Sequence, residues 1–157
     1  MESHIREIII EVEKSCLHDK LGGPFGALVF KDGEVVGRGV NKVLDKSNPD
    51  STAHAEIVAI RDAERNLGTH DLTGCELYAT GYPCPMCMAA IIWANIKKVY
   101  FSADYKDAEA IGFRDDYIFN FIKDGCKNQN ILELKQVDKS SIIKIYEKFV
   151  ELKGEIY

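Results

Sequence analysis

The chain has 157 residues, the size of one domain, and 46% of them are hydrophobic, enough to bury a core. Its formal net charge of -5 disfavours a nucleic-acid partner, whose binding rests on clustered Lys and Arg, and favours a small uncharged one. No stretch approaches the ~20 apolar residues that span a bilayer, and residues 1–7 lack the basic start and apolar run of a secretory signal, so a cytoplasmic protein without membrane contact is expected.

Ile5, Ile8, Ile9, Val12, Cys16 and Leu17 recur at helical spacing and predict an amphipathic helix over 4–18, laid on one face of a sheet. Gly22-Gly23-Pro24 stops it. Residues 25–30 and 34–40 read as two strands joined at Asp32-Gly33, a strong hairpin signal. Gly26 either lets backbone approach a ligand or eases entry to the sheet; spacing alone leaves both open. Residues 41–51 are polar and turn-rich, hence a loop.

A helix is predicted from about Ala53 to Leu67, capped by Ser51 or Thr52, facing the core through Ile57, Ile60 and Ala63 and ending at Gly68. A strand at 76–79, a helix over 86–94 and a strand at 98–101 follow in so few residues that they read as a parallel crossover. Short helical pieces are expected at 108–110 and 117–122, and a last strand at 131–137. A final helix capped by Ser140 or Ser141 runs through Leu152, with Ile142, Ile145, Tyr146, Phe149 and Leu152 on one face. The fold class expected is α/β, a three-layer α/β/α arrangement with a mixed five-stranded sheet, in one domain over 1–157.

Five cysteines are awkward for a disulfide framework but suit a reducing compartment, where thiols stay available for metal. Cys16, Cys75 and Cys126 read as small buried residues. Cys84 and Cys87 are different, because a C-x-x-C at a helix start with an upstream histidine can hold one zinc ion (Zn2+) by three protein ligands. A fourth position left open makes such a site catalytic in kind. The alternative is a closed, purely structural site completed by Cys75 or His70, in a zinc-stabilised binding module.

His54-Ala55-Glu56 and Pro83-Cys84-Pro85-Met86-Cys87 together fit the H-x-E and P-C-x-x-C pattern of zinc deaminases acting on nucleobases. His54, Cys84 and Cys87 are thus the candidate metal ligands. Zinc polarises a water and lowers its pKa toward neutrality, furnishing a hydroxide nucleophile. Glu56, two residues beyond His54, leaves a helix in another direction and is better placed to carry protons than to bind metal. On these two motifs the chain resembles the cytidine deaminase superfamily.

Gly22-Gly23-Pro24-Phe25-Gly26-Ala27, Asn41, Ile92-Trp93-Ala94, Gly112-Phe113 with Asp115, and the terminal Tyr157 sharpen this to a resemblance to the bacterial guanine deaminases. It spans nearly the full length, the last forty residues matching in layout more than in identity. The resemblance implies a hydrolase of the C–N bond of a cyclic amidine, turning guanine and water into xanthine and ammonia. It implies that Phe25 stacks on the purine, Asn41 hydrogen-bonds its edge, the Ala55 N–H sits beside the scissile carbon and Trp93 walls the pocket. It further implies that Asp115 contacts the guanine amino group and assists proton transfer. Tyr157 would reach the other subunit's site in a homodimer whose C-terminal segment, about 137–157, is exchanged.

Each of these residues also has an ordinary structural reading. Phe25 and Trp93 can be packing, Asn41 a turn residue, Asp115 or Asp116 a helix cap, and Tyr157 a disordered end. Thr80-Gly81-Tyr82 stands where that family has Ser-Cys-Glu, putting a phenol in place of a carboxylate, and the loop before Thr52 is longer. That departure opens a second possibility, deamination of another small aminated ring such as cytosine, isocytosine or an aminotriazine. A tRNA adenosine deaminase would need a basic C-terminal helix; here Glu147, Glu151 and Glu155 interleave with Lys144, Lys148 and Lys153.

Overall fold

The computed structural model describes residues 2–157, which form two compact units, one reaching to Asp116 and one spanning Tyr117–Tyr157. The first unit is built on a mixed sheet of four strands, β1 (Gly26–Lys31), β2 (Glu34–Val40), β3 (Glu76–Gly81) and β4 (Val99–Ala103), in the order β2-β1-β3-β4. β1 pairs antiparallel with β2 and with β3, whereas β3 and β4 run parallel. The expected hairpin turns at Asp32 and Gly33, both at positive φ, a conformation that the Asp-Gly pair accepts at little steric cost.

Helix α1 (Glu2–Glu13) continues as a π-type turn over Lys14–His18, so the expected helix over 4–18 is present with a widened last turn. Side chains alternate across a strand, and the core divides accordingly. Ile8 of α1 is buried with Leu28, Phe30 and Tyr78 on one face of the sheet. Ala27, Val29, Leu77 and Ala79 point to the other face, which is covered by α2 (Ala55–Leu67) and by Ile91 of α3 (Pro85–Trp93). Gly26 makes room for α1, because a Cβ there would lie 2.9 Å from Ile8 Cγ1 and still nearer Val12 Cγ2. The crossover β3-α3-β4 is present as expected.

Helix α2 lies close against β2. A Cβ on Gly37 would lie 2.3 Å from the Ala59 carbonyl oxygen, and one on Gly39 would lie 2.2 Å from that of Ala55. Ala55, Ala59 and Ala63, spaced four apart along one face of α2, are fully buried there. Arg38, between the two glycines, sends its side chain the other way to Glu7 and Glu11 of α1, at 2.6 and 2.7 Å. A pair of missing side chains therefore sets the depth of α2, and with it the position of the residues at its start.

Three expectations are corrected. Residues 131–137 form no strand, and the sheet has four strands where five were expected; the segment belongs to the unit Tyr117–Tyr157, which among its described residues has no strand to pair with, and a segment without a partner edge makes no ladder. The cap of α2 is His54, not Ser51 or Thr52, because Thr52 instead bonds back to Asp50 through both its N–H and its hydroxyl. The last helix, α6 (Lys139–Glu151), is capped by Asp138, whose carboxylate accepts from the Ser141 N–H. Helices α4 (Tyr105–Ala110) and α5 (Asp116–Lys123) fall where short helices were expected. No helix among the described residues is long and apolar enough to cross a membrane.

Gly39→Ala is expected to cost about 1–3 kcal/mol by overpacking α2 against β2, despite the entropy an alanine saves in the unfolded chain. Urea unfolding measures it, and stability equal to the wild type would show that α2 can retreat freely.

Candidate metal centre

Two helices supply the centre from their first residues. His54 is the N-cap of α2 and Cys84 the N-cap of α3, both in extended backbone conformation, and neither side chain makes a capping hydrogen bond. Cys87 lies in the first turn of α3 and is buried; Pro85 opens that helix at a position where its missing N–H costs nothing. The partial positive ends of both helices thus face the three donor atoms and favour thiolate over thiol.

His54 Nδ1 lies 3.5 Å from Cys84 Sγ and 3.7 Å from Cys87 Sγ, and the three donor atoms all fall within 4.8 Å of one another. Tetrahedral zinc, with bonds of about 2.3 Å to sulfur and about 2.0–2.1 Å to nitrogen, needs N···S edges of about 3.6 Å. The residues present fit one zinc ion. Among the described residues no other His, Cys, Asp or Glu completes this group: Cys75 is instead buried in the core with Leu72 and Leu77, so the closed site it would have made with these ligands is not formed.

The electrostatics agree with a metal-binding pair. Cys84 is lowered to about 4, chiefly by the hydrogen bond from Cys87, with His54 assisting against the effect of burial. Cys87 is pushed up, because it is the donor in that bond and is itself buried. His54 is held above its ordinary value by the Cys84 sulfur. A metal ion arriving at this group replaces the protons these residues share.

Glu56 is 7% exposed, the one buried carboxylate of α2, and burial raises its pKa above the usual carboxylate range. Its carboxyl sits against the Cys87 sulfur. A buried acid held toward its protonated form beside a metal group is suited to accept and return protons. Asp115 is raised by partial burial and then by the negative charge on Cys84, which puts it within electrostatic reach of the ligands.

Phe25 is partly buried at the entry to β1, its ring beside Gly81 and in edge-to-face contact with Phe113 at 5.0 Å. Asn41 is 5% exposed; its N–H donates to the Phe25 carbonyl, and its side-chain oxygen accepts from the Val43 N–H, so it does shape the turn after β2. Ala55 is buried at the first position of α2. Trp93, at the end of α3, is 71% exposed in the single chain, and Tyr157 in the second unit is 85% exposed. Tyr82 turns its ring to Phe101 and Tyr105.

One positioning residue escaped the sequence reading. Thr80 accepts the Gly26 N–H at 2.9 Å through its hydroxyl, tying the entry of β1 to the end of β3 just before the Cys84 loop. A lone threonine after the apolar run Leu77-Tyr78-Ala79 was the available signal.

Residues 2–103 match the family described as the cytidine and deoxycytidylate deaminase zinc-binding region. Guanine deaminase of Bacillus subtilis is 43% identical over 111 residues, covering 71% of this chain and 70% of that protein. A tRNA-specific adenosine deaminase of Buchnera aphidicola is 36% identical over 130 residues, covering 83% and 82%. The X-ray structure of the Bacillus subtilis guanine deaminase superposes with a TM-score of 0.84 at 33% identity, covering 99% of this chain and 97% of that one. With two helix starts bringing an imidazole and two thiols together beside a buried glutamate, and with this match across most of its length, the chain belongs to the zinc-binding cytidine and deoxycytidylate deaminase family.

Proposed function

We propose that this chain deaminates guanine, producing xanthine and ammonia. The observation that carries the reading is a three-ligand zinc group with a buried carboxyl beside it, in a chain that follows a guanine deaminase structure along almost its entire length. Zinc held by His54, Cys84 and Cys87 supplies the Lewis acidity that lets a water lose a proton near neutral pH.

Glu56 takes that proton on a carboxyl oxygen, passes one to a ring nitrogen and assists departure of the amine as ammonia. A C–O bond forms at the carbon that carried the exocyclic amine as its C–N bond breaks. Phe25 stacks on the base, Asn41 hydrogen-bonds its edge, and the Ala55 N–H lies beside the scissile carbon. Asp115 receives the guanine amino group and shares in proton transfer; Trp93 forms a wall. Tyr82, which stands where that family has a carboxylate, turns its ring to Phe101 and Tyr105, so the phenol is engaged in packing and the lost carboxylate remains the argument for another ring.

The active form in this reading is a homodimer with the C-terminal segment, about 137–157, exchanged and Tyr157 contributed to the partner's site. Helix α6 buries none of its residues in the single chain, although Ile142, Ile145, Tyr146 and Phe149 are large and apolar. Such a face ordinarily needs a cover.

Purified protein is expected to release ammonia from guanine faster than from cytosine, isocytosine, an aminotriazine or tRNA adenosine; faster turnover of any of the others would reassign the substrate. Glu56→Gln is expected to retain about one zinc per chain while losing roughly a hundredfold to ten-thousandfold in kcat, the range for a proton-transfer group. Loss of zinc from that variant would make Glu56 a structural residue. Stripping the metal with a chelator is expected to abolish turnover, and added zinc to restore it. Light scattering is expected to give twice the chain mass; a monomer that still turns over guanine would remove Tyr157 from the site.

A further inference from the structure

Phe113 has no role in the chemistry above, yet its surroundings are built around it. Its ring meets that of Phe25 at 5.0 Å with an interplanar angle of 89°, and a Cβ on Gly23 would come within about 3 Å of both rings. Gly81 stands on another side, where a Cβ would lie 3.3 Å from the Phe25 ring. Two positions without side chains thus leave space for one pair of rings.

The loop carrying Phe113 is fixed by local bonds. Gly112 turns at φ +97, its N–H donates to the Glu109 carbonyl, and the Phe113 N–H donates to that of Ala108. Two residues on, Asp115 feels the charges of Cys84 and His54. One short segment therefore brings an aromatic ring to Phe25 and a carboxylate toward the metal ligands. Phe113 is 46% exposed.

We propose that Phe113 is a positioning residue for the base: it holds the Phe25 ring in one orientation by edge-to-face contact, so that the ring's face is preset for stacking. The proposal rests on the guanine deaminase reading. Edge-to-face pairing adds orientation beyond area burial, and an aromatic ring fixed in advance saves the ligand the cost of ordering it. Such a contribution acts equally on bound substrate and transition state, and so shows in KM more than in kcat.

Zinc-loaded wild type, Phe113→Leu, Phe113→Tyr, Phe25→Leu and the Phe25→Leu/Phe113→Leu double variant would be compared on guanine, with zinc content and thermal unfolding followed for each. Phe113→Leu is expected to raise KM by about 3- to 10-fold, the size of an aromatic pair contact, with kcat nearly unchanged. Phe113→Tyr is expected to restore the wild-type KM, and the double variant to be no worse than Phe25→Leu alone. An unchanged KM in Phe113→Leu, a Tyr variant as poor as Leu, multiplying effects in the double variant, or losses that track zinc content or unfolding temperature would each overturn it. Wild type that neither binds nor turns over guanine would reject the functional reading and take this one with it.

Discussion

The centre depends on how closely one helix lies on one strand. Gly37 and Gly39 let α2 descend until its Ala55 and Ala59 backbone meets β2, which fixes where His54 and Glu56 stand relative to the end of β3. β3 then delivers Pro83, Cys84 and the first turn of α3 to the same place. No residue in the glycine pair or the alanine row touches the reaction. Their contribution is the sub-ångström placement that an imidazole and two sulfurs need in order to share one ion.

Much of this was legible in the order of residues. The hairpin was carried by Asp-Gly, the crossover by its brevity, and the metal group by a histidine and a C-x-x-C whose chemistry constrains spacing more tightly than packing does. Glu56 could be separated from the ligands by helical direction alone. What could not be read was competition among neighbours. Ser51 and Thr52 are good caps by propensity, but Asp50 draws Thr52 into a turn of its own and leaves the cap position to a ligand. Likewise 131–137 was expected to be a strand and lacks a partner edge within its unit.

The secondary residues of the site show the same division. Asn41 proved to be both buried and part of a turn, so the structural reading and the binding reading do not exclude each other there. Thr80 and Phe113 act on other residues and not on chemistry, and a sequence offers little signal for a side chain whose importance lies in what it leans on. The second unit lies beyond the stretch that the family pattern covers, and the apolar side chains of its last helix stay exposed.

That two metal ligands occupy N-cap positions without capping bonds has a further consequence. The leading backbone amides of α2 and α3 have given up the oxygen acceptor that a serine or aspartate would ordinarily offer, so the Cys84 and Cys87 thiolates, held deprotonated by a bound ion, would stand in as a shared anionic partner for both helix beginnings. Scarcity of zinc would therefore be felt first at these two openings, while the central strands β1 and β3, buried by their own apolar contacts, do not rest on it.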